Sequence, residues 1–227
     1  FIDSWISDFN TNAGDGAFSF TNDDGNTIIV LGNNSSYYQV FNQASNTLDP
    51  ATYDITDGGT YAYIGNGGHA SRILGGAFPN YLLIVQGGSS QRTWIFRPTS
   101  TPAITQGPNL YGGATAYTGS FSIPITRGPN AGKILIVHGG SLSTTSIYNP
   151  DFTISEGPTL SSGIESGAFS FEITGGEYKG MYMIIHGNFG TTTSIFNPDT
   201  LSFITQTSDN LPSGYPASAG AHVFPAR

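Results

Sequence analysis

The sequence predicts an all-β domain made of about four copies of a four-stranded antiparallel unit. Three observations carry that expectation. The first is composition: 227 residues include 31 Gly and 13 Pro, with 37% hydrophobic and only 10% charged residues. Gly tolerates positive φ and Pro pre-sets a turn, so this is turn-rich β chemistry with enough apolar matter for a core. Helical surfaces normally carry far more Lys and Glu, and the two lysines here are Lys133 and Lys179. The second observation is a repeat of about 50 residues. The third is one strand per repeat that is apolar at successive positions, as a strand buried on both faces must be.

Four segments carry the repeat: Ile28-Ile29-Val30-Leu31-Gly32, Leu83-Ile84-Val85-Gln86-Gly87, Leu135-Ile136-Val137-His138-Gly139 and Met183-Ile184-Ile185-His186-Gly187. Nine residues after each glycine stands an aromatic: Phe41, Phe96, Tyr148 or Phe196. Two further on comes Pro98, Pro150 or Pro198, with Gln43 departing in the first copy. The glycines are 55, 52 and 48 residues apart. A second glycine column, Gly16, Gly67, Gly119, Gly167 and Gly220, precedes each apolar run.

Each copy therefore reads as four strands. Strand one is Ala17–Phe20 and its equivalents, and strand two is the apolar run. Strand three is the alternating segment that ends on the aromatic. Strand four follows the Pro turn, as in Phe152–Ser155 and Phe203–Gln206. Four-stranded units of this length, buried on both faces, specify the blades of a β-propeller. The expected blades are about 16–66, 67–118, 119–166 and 167–219 of a single domain spanning 1–227. Partial blades are expected at both ends, a lone fourth strand in 1–15 and a lone first strand in 220–227. On this reading the chain is part of a longer propeller or a processed piece of one. Ile29, Ile84, Ile136 and Ile184 are expected in the core, as are Phe41, Phe96, Tyr148 and Phe196.

The repeats resemble kelch repeats, including the bacterial kelch-like and galactose-oxidase-central-domain kinds. The resemblance is carried by Ile136-Val137-His138-Gly139-Gly140, Ile147-Tyr148-Asn149-Pro150 and Phe152-Thr153-Ile154. The di-glycine recurs at Gly87-Gly88, while Asn33 and Asn188 replace its second Gly. The usual fourth-strand Trp is found only as Trp5. The resemblance implies a fold and leaves function open, since propellers host unrelated activities. Kelch-like copper oxidases need a Cys cross-linked to Tyr, and this chain has no Cys.

Charge and length exclude several classes. Net charge is −8 with no run of Lys or Arg, which opposes nucleic-acid binding. No apolar run approaches 18 residues, so no membrane span is expected. A polar, Lys-poor, Thr/Asn/Gly-rich surface points to an extracellular or cell-envelope location. The chain starts at Phe1 rather than Met, as after removal of a leader or excision from a longer protein.

The chemistry-bearing residues are few. His138 and His186 share a repeat position with Leu31 and Gln86, which marks a packing column with optional polarity. His69 and His222 fall in the first-strand column of Phe18, Phe121 and Phe169, where burial with hydrogen bonds is expected. Asp8–Asp15 has the oxygen spacing of a calcium loop, but Ala13 stands where Gly is needed and Ser19 where Glu is needed. An inter-blade loop is therefore expected. No nucleophile elbow or recurring carboxylate pair is present. No catalytic or metal-ligating residue is nominated, and no cofactor is expected.

The expected functional surface is the propeller face built from the loops after strands two and four. It nominates Asn33, Asn34 and Arg92 after strand two, and Tyr61, Tyr63, Tyr111, Tyr117 and Tyr215 after strand four. Tyr offers a stacking face and a hydroxyl at low entropy cost, which suits a protein or glycan partner. Asn33 and Asn34 also stand in Asn-x-Ser form, the acceptor for N-glycosylation in a eukaryotic source. The expectation is a secreted or cell-surface binding module. The alternatives are a self-assembling structural subunit of an extracellular fibre and a carbohydrate-active enzyme.

Overall fold

The computed structural model describes residues 14–57, 60–99, 103–188 and 191–204. The expected partial blades, the Asp8–Asp15 loop as a unit, Trp5, Tyr215 and His222 lie outside the described residues.

The architecture is an all-β propeller of four-stranded antiparallel blades. The first contains β1 (Phe18–Thr21), β2 (Thr27–Val30), β3 (Tyr37–Asn42), β4 (Thr47–Leu48) and β5 (Tyr53–Asp54). A small hairpin follows, β6 (Thr56–Asp57) with β7 (Thr60–Tyr61). The second blade is β8 (His69–Arg72), β9 (Leu82–Val85), β10 (Thr93–Arg97) and β11 (Ala103–Gln106). The third is β12 (Phe121–Pro124), β13 (Ile134–Val137), β14 (Thr145–Asn149) and β15 (Thr153–Glu156). The fourth is β16 (Phe169–Glu172), β17 (Tyr182–Ile185), β18 (Thr193–Asn197) and β19 (Ser202–Ile204). Each sheet pairs its strands in chain order and comes from one sequence copy. Among the described residues the one helical turn is Tyr111–Gly113, and no helix is long and apolar enough to cross a membrane.

Burial on both faces of strand two follows from stacking blade on blade. Leu82, Ile84, Trp94 and Phe96 of the second blade pack on Ile28, Val30 and Tyr38 of the first. Its alternate residues Leu83, Val85 and Ile95 pack on Ile134, Ile136 and Tyr148 of the third. Leu135, Val137 and Ile147 then pack on Ile184 and Phe196 of the fourth. Truncating a fully buried member such as Ile136 to Ala costs about 2–5 kcal/mol.

The first blade departs from the expectation in two ways. Ile29 and Phe41 are only half-buried. They lie on the face of their sheet turned away from the second blade, because Ile28, Val30 and Tyr38 take the facing positions. Its outer strand is also split. β4 pairs with one end of β3 and β5 with the other, so this sheet has five strands rather than four.

The Pro column has an inter-blade role. The carbonyl of Pro98 accepts from the Asp23 N–H at 2.9 Å, and that of Pro150 from the Ala77 N–H at 3.1 Å. The carbonyl of Pro198 accepts from Asn130 Nδ2 at 3.0 Å. In each case the loop between strands one and two of one blade is tied to the strand three–four turn of the next. The first-strand glycines mark a second close approach. A Cβ on Gly67 or Gly119, both at φ above 80°, would collide with the backbone carbonyl of Tyr117 or Glu165.

Candidate binding face

Every strand-two exit makes the same unusual turn. Gly32, Asn33 and Asn34 have φ of 66, 54 and 57°; Gly87, Gly88 and Ser89 have 69, 61 and 67°; Gly139, Gly140 and Ser141 have 70, 63 and 65°. Gly187 and Asn188 begin the fourth at 80 and 55°. Hydrogen bonds from Ser35 to Gly32, Ser90 to Gly87 and Leu142 to Gly139 close these turns at 2.9–3.1 Å. A left-handed residue costs roughly 1–2 kcal/mol unless it is Gly, with Asn and Asp next best tolerated. That explains why Asn33 and Asn188 replace the second Gly of the pair: the position selects for backbone conformation.

These turns meet the loops that run from strand four to the next blade. Antiparallel bridges join Ser35 to Ile64, Ser90 to Ala116 and Leu142 to Ile164. Asn33 and Asn34 are thereby brought beside the segment of Tyr61 and Tyr63, and Arg92 beside that of Tyr111 and Tyr117. Asn33, Asn34 and Arg92 are all exposed. A further tie fixes the long loops. Thr93 Oγ1 donates to the Pro108 carbonyl and Thr145 Oγ1 to the Pro158 carbonyl, each at 2.6 Å. Sequence reasoning missed this pair. Its signal was the recurrence of Gly107-Pro108-Asn109-Leu110 as Gly157-Pro158-Thr159-Leu160, whose leucines are buried.

The four nominated tyrosines within the described residues all reach solvent. Tyr61, Tyr63, Tyr111 and Tyr117 are 41, 47, 46 and 40% exposed. The rings of Tyr61 and Tyr63 lie 5.8 Å apart, and Tyr117 lies against Gly140 of the next loop. Two further exposed tyrosines, Tyr37 and Tyr53, were not nominated. Tyr53 belongs to the split outer strand, which has no counterpart among the described residues of the other copies, so the repeat gave no signal for it. Its hydroxyl donates to Asp49 at 2.7 Å, which raises the Tyr53 pKa.

Two cavities open on this face at equivalent places. One, of about 380 Å³, lies between the Tyr111–Gly113 turn, Leu142, Thr144, Glu156 and Thr159, with His138 behind. The other, of about 270 Å³, is lined by Ser141, Ser162, Glu165, Asn188 and Thr192, with His186 behind. The Ser141 hydroxyl donates to the Glu165 carboxylate. A third cavity, of about 180 Å³, involves Arg127, Lys179 and Asp199 near the strand one–two hairpins, beside the Arg127–Glu172 ion pair at 2.6 Å.

The histidines behind the two cavities are held, not poised. His138 pairs through Nδ1 with Thr144 Oγ1 at 2.9 Å and through Nε2 with Ser146 Oγ at 2.8 Å. His186 pairs with Ser162 and Ser194, each at 2.7 Å. Burial pushes His138 down to about 4, helped by nearby His69, and lowers His186 as well. Both imidazoles are neutral near pH 7. A Ser–His contact suggests a nucleophile and its base. Ser146, however, is fully buried, its Oγ also accepts the Tyr111 N–H at 3.1 Å, and a threonine rather than a carboxylate orients the ring. These pairs act as struts.

His69, on the first strand of the second blade, reaches the neighbouring first strand. Its Nδ1 donates to the Gly67 carbonyl at 2.9 Å, leaving Nε2 to accept from the Ser122 hydroxyl at 2.6 Å. Burial pushes its pKa down to about 4 against that hydrogen bond. Among the described residues no group of three or more His, Cys, Asp or Glu comes together as a metal site.

No protein-family profile matches the chain, and no curated protein matches it. Solved structures do. A streptogramin B lyase superposes with a TM-score of 0.54 at 14% identity, over 90% of this chain and 57% of the lyase. A fungal alcohol oxidase of the AA5 family, solved with copper, gives 0.46 at 17% identity, over 89% of this chain and 44% of the oxidase. The chain thus spans little more than half the length of the lyase. At such identity the likeness to the lyase shows the propeller fold and nothing finer.

Proposed function

We propose that the chain is a binding module. The face carrying the strand two–three turns and the inter-blade loops engages a glycan or protein partner outside the cell. The observation that carries this reading is the placement of Tyr61, Tyr63, Tyr111 and Tyr117 on the loops between strand four and the next blade, each at least 40% exposed. A Tyr left in water forgoes burial worth about 1.5–3 kcal/mol for a large side chain, so four such residues on these loops suit a partner that covers them. The left-handed turns beneath them hold the loops in place before any partner arrives, which lowers the ordering cost of binding. The extracellular assignment rests on the polar, Lys-poor, Thr/Asn/Gly-rich composition. The kelch-like assignment of the repeats draws support from the two consecutive positive-φ residues that follow each strand two.

The test uses the fluorescently labelled chain on a glycan array and on immobilised extracellular-matrix proteins. A Tyr61→Ala/Tyr63→Ala/Tyr117→Ala variant is expected to lose at least about tenfold of any signal while its melting profile stays cooperative. Equal binding by the folded variant contradicts the reading. Concentration-dependent self-association without ligand would favour the structural-subunit alternative.

A further inference from the structure

We propose that the cavity framed by Tyr111, Glu156, Thr144 and Thr159 binds a neutral saccharide, and that the cavity beside His186 extends the site for a longer oligosaccharide. This rests on the reading of the face as a binding surface and names the ligand of one part of it.

Size and chemistry argue together. About 380 Å³ lies in the range of small-ligand pockets. At its mouth Tyr111 presents an exposed aromatic face, which suits the apolar C–H face of a pyranose ring. Around it stand the exposed residues Thr159, Glu156 and Thr144, the last with its hydroxyl also paired to His138. Among the described residues no Lys or Arg lines this cavity or its neighbour, and each contains one Glu. An anionic ligand would meet a carboxylate, no cation, and a chain of net charge −8. An apolar ligand would strand these oxygens without partners. A polyhydroxylated neutral ring satisfies both the aromatic face and the oxygens.

The second cavity offers the polar groups of Ser162, Thr192, Asn188 and Glu165 without an aromatic among its described lining residues, Ser162 being paired with His186 and Glu165 with Ser141. One turn separates the two, with Ser141 facing one cavity and Leu142 the other. A chain of sugars can therefore cross from one to the other. The neutral His138 and His186 have both ring nitrogens occupied, so they shape the walls and leave recognition to the residues in front.

The experiment is isothermal titration of the full chain with neutral disaccharides and tetrasaccharides of glucose, galactose, mannose and N-acetylglucosamine. At least one series is expected to bind, its tetrasaccharide more tightly than its disaccharide. Tyr111→Ala and Glu156→Gln are each expected to weaken the disaccharide by about tenfold or more, and Glu165→Gln to weaken only the tetrasaccharide. Affinity should hold between about 0.05 and 0.5 M salt. Thermal melts confirm that each variant is folded. If Tyr61→Ala/Tyr63→Ala abolishes disaccharide binding and Tyr111→Ala does not, the cavity is wrong while the binding face stands. Binding that collapses with salt, or that prefers a lysine-rich peptide, overturns the saccharide in favour of a cationic ligand. No binding by any sugar up to about 10 mM overturns the proposal outright, and the tyrosine-face variant then judges the broader reading by itself.

Discussion

The indole Nε1 of Trp94 donates to Oε1 of Gln86 at 2.9 Å, linking the end of strand two to strand three. The same two positions hold His138 with Ser146 in the third blade and His186 with Ser194 in the fourth. In the first they hold Leu31 and Gln39, and neither amide atom of the buried Gln39 has a hydrogen-bond partner among the described residues. The position thus varies as a pair: when the strand-three member can hydrogen-bond, the strand-two member of blades two to four supplies a partner. Gln86→Leu, which copies the first blade, should leave the Trp94 N–H buried and unpaired at a cost of about 1–3 kcal/mol. Adding Trp94→Phe should recover part of that loss. Denaturant melts of the two single variants and the double decide it, and strictly additive effects would contradict the pairing.

Tyr148 presents the opposite case. It occupies the column of Phe96 and Phe196, is fully buried, and its hydroxyl has no hydrogen-bond partner among the described residues. Burial pushes its pKa up to about 12. Tyr148→Phe removes an unsatisfied hydroxyl and keeps the ring. It should be neutral or stabilise by up to about 1–3 kcal/mol, seen as a higher melting temperature. A loss above 1 kcal/mol would show that the hydroxyl has a partner after all.

Acid should weaken the fold before the carboxylates titrate. His69 and His138 are held near 4, against about 6.5 when unfolded. Below 6.5 the unfolded chain takes up protons that the folded chain refuses, so stability is complete above that pH and falls as pH drops toward 4. Each such histidine contributes a slope of up to about 1.4 kcal/mol per pH unit. His138→Gln, the residue of the second blade, should flatten the slope between pH 6.5 and 5. Denaturant midpoints at several pH values check it. An unchanged slope would mean that His138 is free to protonate in the fold.

Much of the fold could be read from the sequence because blade stacking writes directly into it. Strand two must be apolar at every position, and two glycine columns mark where backbones crowd. The first blade was harder to read. The positions of Ile29 and Phe41 repeat those of Ile84 and Phe96, but repetition of sequence does not ensure repetition of neighbours. The split between β4 and β5 follows a segment unique to that copy. At the proposed binding face, the periodicity located the loops but could not say whether a loop Tyr points inward or outward. The cavities were hidden for another reason. They arise between loops of neighbouring copies, where Glu156 and Glu165 stand at different repeat positions and no column aligns them.

The central claim is that partners dock on the face of Tyr61, Tyr63, Tyr111 and Tyr117. Backbone amide chemical-shift mapping of the labelled chain, titrated with the tightest ligand from the glycan or matrix-protein screen, tests it most directly. The account predicts shifts concentrated at residues 33–36, 61–65, 88–92, 111–117 and 141–144. Shifts concentrated instead on the opposite hairpins, at 75–80, 127–132 and 175–180, would contradict it.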